Sequence, residues 1–186
     1  MKNIILFASG AGSNVQAILD YFKDKEKIRP VAIVCNNPKA GVTQIAEKEG
    51  IPLIWTDRKA ILNDDFLGEL KQLKPDWIIL AGFLLKIPEA VVKGFPNKII
   101  NIHPALLPKY GGKGMYGHHV HQAVIDNNEK ESGITIHYIN EHYDEGNTIL
   151  QACCTVGSED TAETLAKKIH QLEHFYFPRA IEFLIR

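Results

Sequence analysis

The sequence predicts a doubly wound α/β fold: a mostly parallel sheet with helices on both faces and an antiparallel edge at its C-terminal side. Three observations predict it. Short, nearly continuous apolar runs recur through the first half of the chain, as strands buried on both faces of a parallel sheet require. Helical patterns separate those runs, and strand then helix, repeated, is the signature of right-handed βαβ units. Past residue 105 the runs give way to alternation, the mark of antiparallel strands with one wet face.

Taken in order, Ile4–Ala8, Val31–Cys35 and Trp77–Ala81 read as central strands, with Pro52–Trp55 and Ile99–His103 as two more. Helices are expected near Val15–Phe22, Thr43–Lys48, Asp64–Lys74 and Pro88–Lys93. Pro108–Gly117 holds Gly111, Gly112, Gly114 and Gly117 with little apolar content, which predicts a flexible loop. Gly133–Ile139 and Thr148–Val156 alternate as strands. Asp160 and Glu163 predict a capping box that opens a helix carrying Leu165, Ile169, Leu172 and Tyr176 at amphipathic spacing. Pro178 should kink that helix or begin another, because proline removes a backbone donor. No repeat, linker or low-complexity segment interrupts residues 1–186, so a single domain is expected.

Composition narrows the function classes. With 45% hydrophobic and 23% charged residues among 186, the chain is neither disordered nor fibrous and can bury roughly 70% of its unfolded surface. Basic and acidic residues nearly balance, 21 against 22, so a nucleic-acid partner, which calls for a basic excess, is not expected. No apolar run approaches the ~18–20 residues that span a bilayer, and Ile4–Ala8 is too short for a signal-peptide core. Cys35, Cys153 and Cys154 form no disulfide framework. A reduced, cytoplasmic, soluble globular protein, without membrane or nucleic acid, is the expectation.

Five groups of residues can carry chemistry. Ser9-Gly10-Ala11-Gly12-Ser13-Asn14 joins the first strand to the first helix, where glycines admit an anion and a helix N-terminus offers free N–H groups. Val15 stands where a dinucleotide fingerprint needs its third glycine, and no lysine follows as in an NTP-binding loop. A phosphate site and a plain turn capped by Ser13 or Asn14 remain equal readings. Asn101 and His103 project on the same face at the C-terminal end of their strand, where open α/β sheets bind ligands. An amide there can donate to an oxyanion and an imidazole can exchange protons, or the pair can simply end the strand. Asp144-Glu145-Gly146 is an acidic turn that matters only if Asp144 reaches His103 and supports its protonated form. His118, His119 and His121 lack a Cys, Asp or Glu partner at ligand spacing and read as a solvated loop-to-helix junction, so no metal is expected. His170 and Glu173 share one helix face, as a surface pair or as groups aimed into a cleft.

In combination these segments resemble the phosphoribosylglycinamide formyltransferases, within the folate-dependent formyltransferase family. Gly10-x-Gly12-Ser13-Asn14, Ala81-Gly82-Phe83, Asn101-Ile102-His103-Pro104-Ala105-Leu106-Leu107-Pro108, His137, Asp144-x-Gly146 and Glu173-His174 follow the order and approximate spacing of that family over essentially the whole chain. The resemblance implies a Rossmann-like formyltransferase fold and transfer of a formyl group from 10-formyltetrahydrofolate to the amino group of glycinamide ribonucleotide, in purine biosynthesis. It further implies Asn101, His103 and Asp144 as the catalytic trio, with His137 and His170 in support. Gly12, Ser13 and Asn14 would hold the substrate phosphate, and Glu173 its ribose hydroxyls. Arg58, Leu84, Leu85, Lys86, Ile87, Asn101 and the loop Asn140–Asp144 would meet the folate. No metal is implied, and a monomer or weak homodimer is expected. Two departures from the family pattern stand out: Tyr110–His121 is longer and richer in glycine and histidine, and His170 replaces a common glutamine. Other users of formyl folate and a non-catalytic nucleotide-binding module are the alternatives; most of the first add a further domain, and the second leaves Asn101, His103 and Asp144 without a role.

Overall fold

Along β1 (Lys2–Phe7) the side chains of Ile4 and Leu6 enter one apolar cluster while Ile5 and Phe7 enter another, and all four are fully buried. That two-sided burial is what a central strand of a doubly wound sheet requires. The chain continues through α1 (Ser13–Phe22), β2 (Ile28–Cys35), α2 (Val42–Glu49), β3 (Leu53–Trp55), a short 3₁₀ turn (Ala60–Leu62), α3 (Asp64–Gln72), β4 (Trp77–Leu80) and α4 (Glu89–Gly94). It then forms β5 (Ile99–His103), α5 (His118–Asp126), β6 (Glu131–Tyr138), β7 (Thr148–Thr155) and α6 (Ala162–Leu184). The computed structural model describes residues 1–142 and 144–186.

The seven strands form one sheet in the order β3-β2-β1-β4-β5-β6-β7. Pairings β1–β2, β2–β3, β1–β4 and β4–β5 are parallel, whereas β5–β6 and β6–β7 are antiparallel. Helices α1, α2, α5 and α6 supply Val15, Ile18, Ala46, Val124, Leu165 and Phe177 to the cluster on one face. Helices α3 and α4 supply Phe66, Leu70 and Val91 to the other. The fold class expected from the sequence is therefore the one observed, and β5 falls on its expected span.

Three local expectations are corrected. The capping box of α6 uses Thr161 and Thr164, not Asp160 and Glu163. Asp160 instead accepts from the Gly157 N–H and the Thr164 hydroxyl, and pairs with Lys168. Pro178 does not divide the helix: α6 runs through it, because Phe177, Pro178, Ala180 and Ile181 are all buried and that packing outweighs one missing donor. His121 is not solvated. It lies on the inner side of α5 with Val120 and Val124, and is 3% exposed.

Gly133 in β6 marks a close backbone approach within the antiparallel edge. A Cβ there would lie 2.0 Å from the Ala152 carbonyl oxygen and 2.9 Å from Cys153 Cα, both backbone atoms of β7. Gly133→Ala is expected to destabilise the fold by about 3 kcal/mol, at the upper end of ordinary overpacking. Thermal unfolding should then shift down by roughly 6–12 °C for a chain of this size. An unchanged Tm would contradict the β6–β7 register.

Candidate active site

Sheet order reverses between β1 and β4, and at such a switch point the C-terminal strand ends open a crevice for ligands. Here the crevice is a cavity of about 850 Å³. That is toward the large end of small-molecule sites. It runs from the start of α1, past the ends of β4 and β5, to the loop that follows β6.

At one end, Gly12 is the N-cap of α1 with φ 81°, and no side chain caps the helix. The cap expected of Ser13 or Asn14 is thus replaced by a glycine turn that leaves the helix start facing the cavity. Glycine is required there twice over, by its positive φ and because a Cβ would fall 2.7 Å from Ile45 Cδ1 and 2.9 Å from Val42 Cβ. Ser13 is exposed in the cavity wall. Asn14 turns its side chain away from the helix axis and donates Nδ2–H to Glu173 Oε2 at 3.0 Å, with both residues buried. Asn14 Oδ1 has no hydrogen-bond partner among the described residues. Burial pushes the Glu173 carboxyl above the ordinary carboxylate range, while the Asn14 hydrogen bond and His170 pull it back. His170, exposed, and Glu173 line the same wall, so they are groups of a cleft, not a surface pair.

The other end holds the sequence trio. Asn101 sits opposite His137 in the β5–β6 register, and its Nδ2 lies 3.2 Å from His137 Nε2. His137 is fully buried, and its Nδ1 lies 2.9 Å from the Tyr138 carbonyl oxygen, which can only accept. Nδ1 therefore carries the proton and bare Nε2 accepts from Asn101. Burial lowers the His137 pKa and keeps that ring neutral, against a smaller opposing pull from the Tyr138 carbonyl and Asp144. His103 follows the same logic with the opposite tautomer: its Nε2 lies 2.7 Å from the Tyr110 carbonyl oxygen, so Nε2 donates. Its Nδ1 then faces Asp144 Oδ2 at 3.7 Å, and Asp144 Oδ1 lies 3.7 Å from His137 Nε2. Those separations exceed a direct hydrogen bond and suit a bridging water. The Gly112 N–H donates to Asp144 Oδ2 at 2.9 Å, so the glycine-rich segment expected as a loose loop makes a defined contact with the acidic turn.

Arg58, Leu84, Leu85, Lys86 and Ile87, together with Asn140, also line the cavity. The Leu84 N–H donates to Ser9 Oγ at 2.9 Å, and the Ser9 N–H to the Gly82 carbonyl at 2.9 Å, which fixes this segment to the end of β1. Asn140 Oδ1 accepts from the His142 N–H. Tyr143, within the expected folate loop, lies outside the described residues. Sequence reasoning named Ser9 in the first glycine turn, Gly112 in a flexible loop and His121 in a solvated histidine cluster, but gave no site role to these or to Tyr110, all of which shape or line this cavity. Only Ser9 and Gly112 carried a local signal, as neighbours of glycine turns. His121 lines the cavity, its Nδ1 without a partner among the described residues, and burial first, then His170, His118 and His103, lowers its pKa to about 4.

The glycine turn, Asn101, His103, Asp144, His170 and Glu173 are thus brought to one cavity by elements far apart in the chain, whereas His118, His119 and His137 are not among its lining residues. A family model described as formyl transferase matches residues 2–181. A relative from Vigna unguiculata named phosphoribosylglycinamide formyltransferase, chloroplastic, is 38% identical across 98% of this chain and 61% of its own length. One from Bacillus subtilis named phosphoribosylglycinamide formyltransferase is 35% identical across 100% of this chain and 95% of its own. The solved structure of glycinamide ribonucleotide transformylase 1 from Geobacillus kaustophilus matches with a TM-score of 0.90 at 33% identity, covering 100% of both chains. This chain spans 61% and 62% of the plant relatives' lengths. With the model matched from the first strand into the last helix, the chain belongs to the formyl transferase family.

Proposed function

We propose that this protein transfers the formyl group of 10-formyltetrahydrofolate to the amino group of glycinamide ribonucleotide, a step of purine synthesis. One observation carries the reading: Asn101, His103 and Asp144 meet at one end of a cavity whose other end is an uncapped helix start beside Glu173. That layout suits a phosphorylated amine reaching toward a formyl donor held along Leu84–Ile87 and Arg58.

The amine attacks the formyl carbon, and the carbonyl oxygen gains negative charge. Asn101 uses one N–H on His137, so its second Nδ2–H is free to meet that oxygen. Imidazolium His103, its Nε2–H on Tyr110, presents Nδ1–H on the side of Asp144. Asp144, as carboxylate, favours that cation and relays a proton through water from the attacking nitrogen to the leaving one. Phosphate held by the backbone N–H groups of Ser13 and Asn14, with ribose hydroxyls on Glu173, positions the amine from a distance.

Purified protein supplied with glycinamide ribonucleotide and a 10-formyl folate should release deformylated folate. Omitting the ribonucleotide separates transfer from hydrolysis. No release with both substrates, or equal release without the ribonucleotide, overturns the proposal.

Glu173 gives a prediction that links binding to stability. Because burial raises its folded-state pKa above that of the unfolded chain, the folded state holds its proton more tightly. Stability therefore falls as pH rises through this window, and the cost is complete once the buried group is ionised. Glu173→Gln removes that cost while keeping an acceptor for Asn14. The variant should unfold at a higher temperature than the parent at about pH 8 and at nearly the same temperature at about pH 4. Its KM for the ribonucleotide should rise about tenfold, the loss of a charge-assisted hydrogen bond, with the folate KM unchanged. A rise confined to the folate KM would reverse the assignment of this end of the cavity.

A further inference from the structure

Tyr110 stands outside the cavity trio yet touches it through its main chain. Its carbonyl accepts from His103 Nε2 at 2.7 Å, which selects the imidazole tautomer that turns Nδ1 toward Asp144. To place that carbonyl, Tyr110 adopts φ 56°, a left-handed conformation that a tyrosine avoids. Such a backbone persists only where the surroundings over-determine it. The surroundings here are specific. The Tyr110 hydroxyl donates to Glu129 Oε1 at 2.9 Å, and Lys109 Nζ meets the same oxygen at 2.9 Å. Glu129 belongs to the turn between α5 and β6, and its side chain is 24% exposed, so it is anchored outside the cavity. The ring of Tyr110 packs against the apolar cluster beneath α5 and α6. Two residues on, the Gly112 N–H holds Asp144 Oδ2.

We propose that Tyr110 and Glu129 are positioning residues for formyl transfer: the phenol–carboxylate bond holds the strained Tyr110 carbonyl on His103 and so fixes which imidazole nitrogen faces the reaction. The proposal rests on the activity assigned above, but the tautomer it concerns is a property of the protein alone. Neither residue meets a substrate. Loss of the phenol bond lets the segment relax from its left-handed turn and the Nε2–H loses its acceptor: the cationic ring is then no longer held with Nδ1 toward Asp144, and in the neutral ring the proton redistributes between the two nitrogens.

The test uses the full chain as Tyr110→Phe, with Glu129→Ala as the variant that removes the acceptor instead and Glu129→Gln as the conservative one. The amide oxygen of glutamine still accepts from the phenol. In the parent, ¹⁵N NMR of the neutral His103 ring should show protonated Nε2 and bare Nδ1. In Tyr110→Phe and Glu129→Ala the two ¹⁵N shifts should move toward each other, kcat should fall about tenfold, and both KM values should stay within about twofold, the loss expected of one hydrogen bond to a charged group. Glu129→Gln should restore the parent spectrum and hold kcat within about threefold. An unchanged His103 spectrum in both Tyr110→Phe and Glu129→Ala overturns the proposal. Equal defects in Glu129→Gln and Glu129→Ala also overturn it, because the Lys109 pair and not the phenol bond would then matter. If the parent transfers no formyl group, the activity reading fails and the spectra alone decide this inference.

Discussion

Asp144→Asn is expected to lower kcat about a thousandfold, within the range of a positioned acid–base group, while both KM values change less than about threefold. The substitution keeps the shape of the side chain. An amide oxygen at the Oδ2 position still accepts from the Gly112 N–H, so the acidic turn keeps its tie to the glycine-rich segment. What disappears is the charge. His103 then has no anion beside Nδ1 to favour its protonated form, and no carboxylate remains to pass a proton between the two substrate nitrogens. Under the proposed mechanism both functions act in the transition state, so the loss falls on kcat. Steady-state kinetics with each substrate varied in turn checks this. A loss below about tenfold would remove Asp144 from the proposed role, because one neutral hydrogen bond suffices to explain that much.

How much of this was legible in advance depends on the distance over which each feature is decided. Fully apolar runs such as Ile4–Phe7 and Ile99–Ile100 declare central strands because parallel strands are covered on both faces. Period-two geometry likewise places Asn101 and His103 on one side of β5 without any knowledge of tertiary structure. Their partners could not be read that way. His137 faces Asn101 only through the antiparallel register of β6, and Asp144 approaches His103 across a long connection that no local pattern encodes. Failures at α6 and α5 have the opposite cause. Asp160 and Thr161 are both good caps, and the choice went to Thr161 when Asp160 was taken by Gly157 and Lys168. His121 looked solvated because histidines and glycines surround it, yet its place beside Val120 and Val124 turns it inward. Tyr110 carried no signal at all, since its contribution is a main-chain carbonyl in an unusual conformation.

Asn101→Ala should lower kcat about a hundredfold, the usual cost of removing one oxyanion donor. The formyl oxygen is uncharged in the ground state, so the folate KM should change less than about threefold. The substitution also strips His137 Nε2 of its donor, and an orphaned buried nitrogen costs about 1–3 kcal/mol of stability. That cost lowers Tm without touching kcat in protein that is still folded, so kinetics and unfolding report different things. The decisive comparison is with pH. An amide does not titrate, so the Asn101→Ala loss should be the same factor at every pH where the protein is folded. Loss of Asp144 removes the proposed proton-transfer group, so the pH profile of that variant should not parallel the parent's. If Asn101→Ala instead reshapes the pH profile, the amide acts by holding His137 and His103 in place, and the oxyanion must draw its stabilisation from the imidazolium alone.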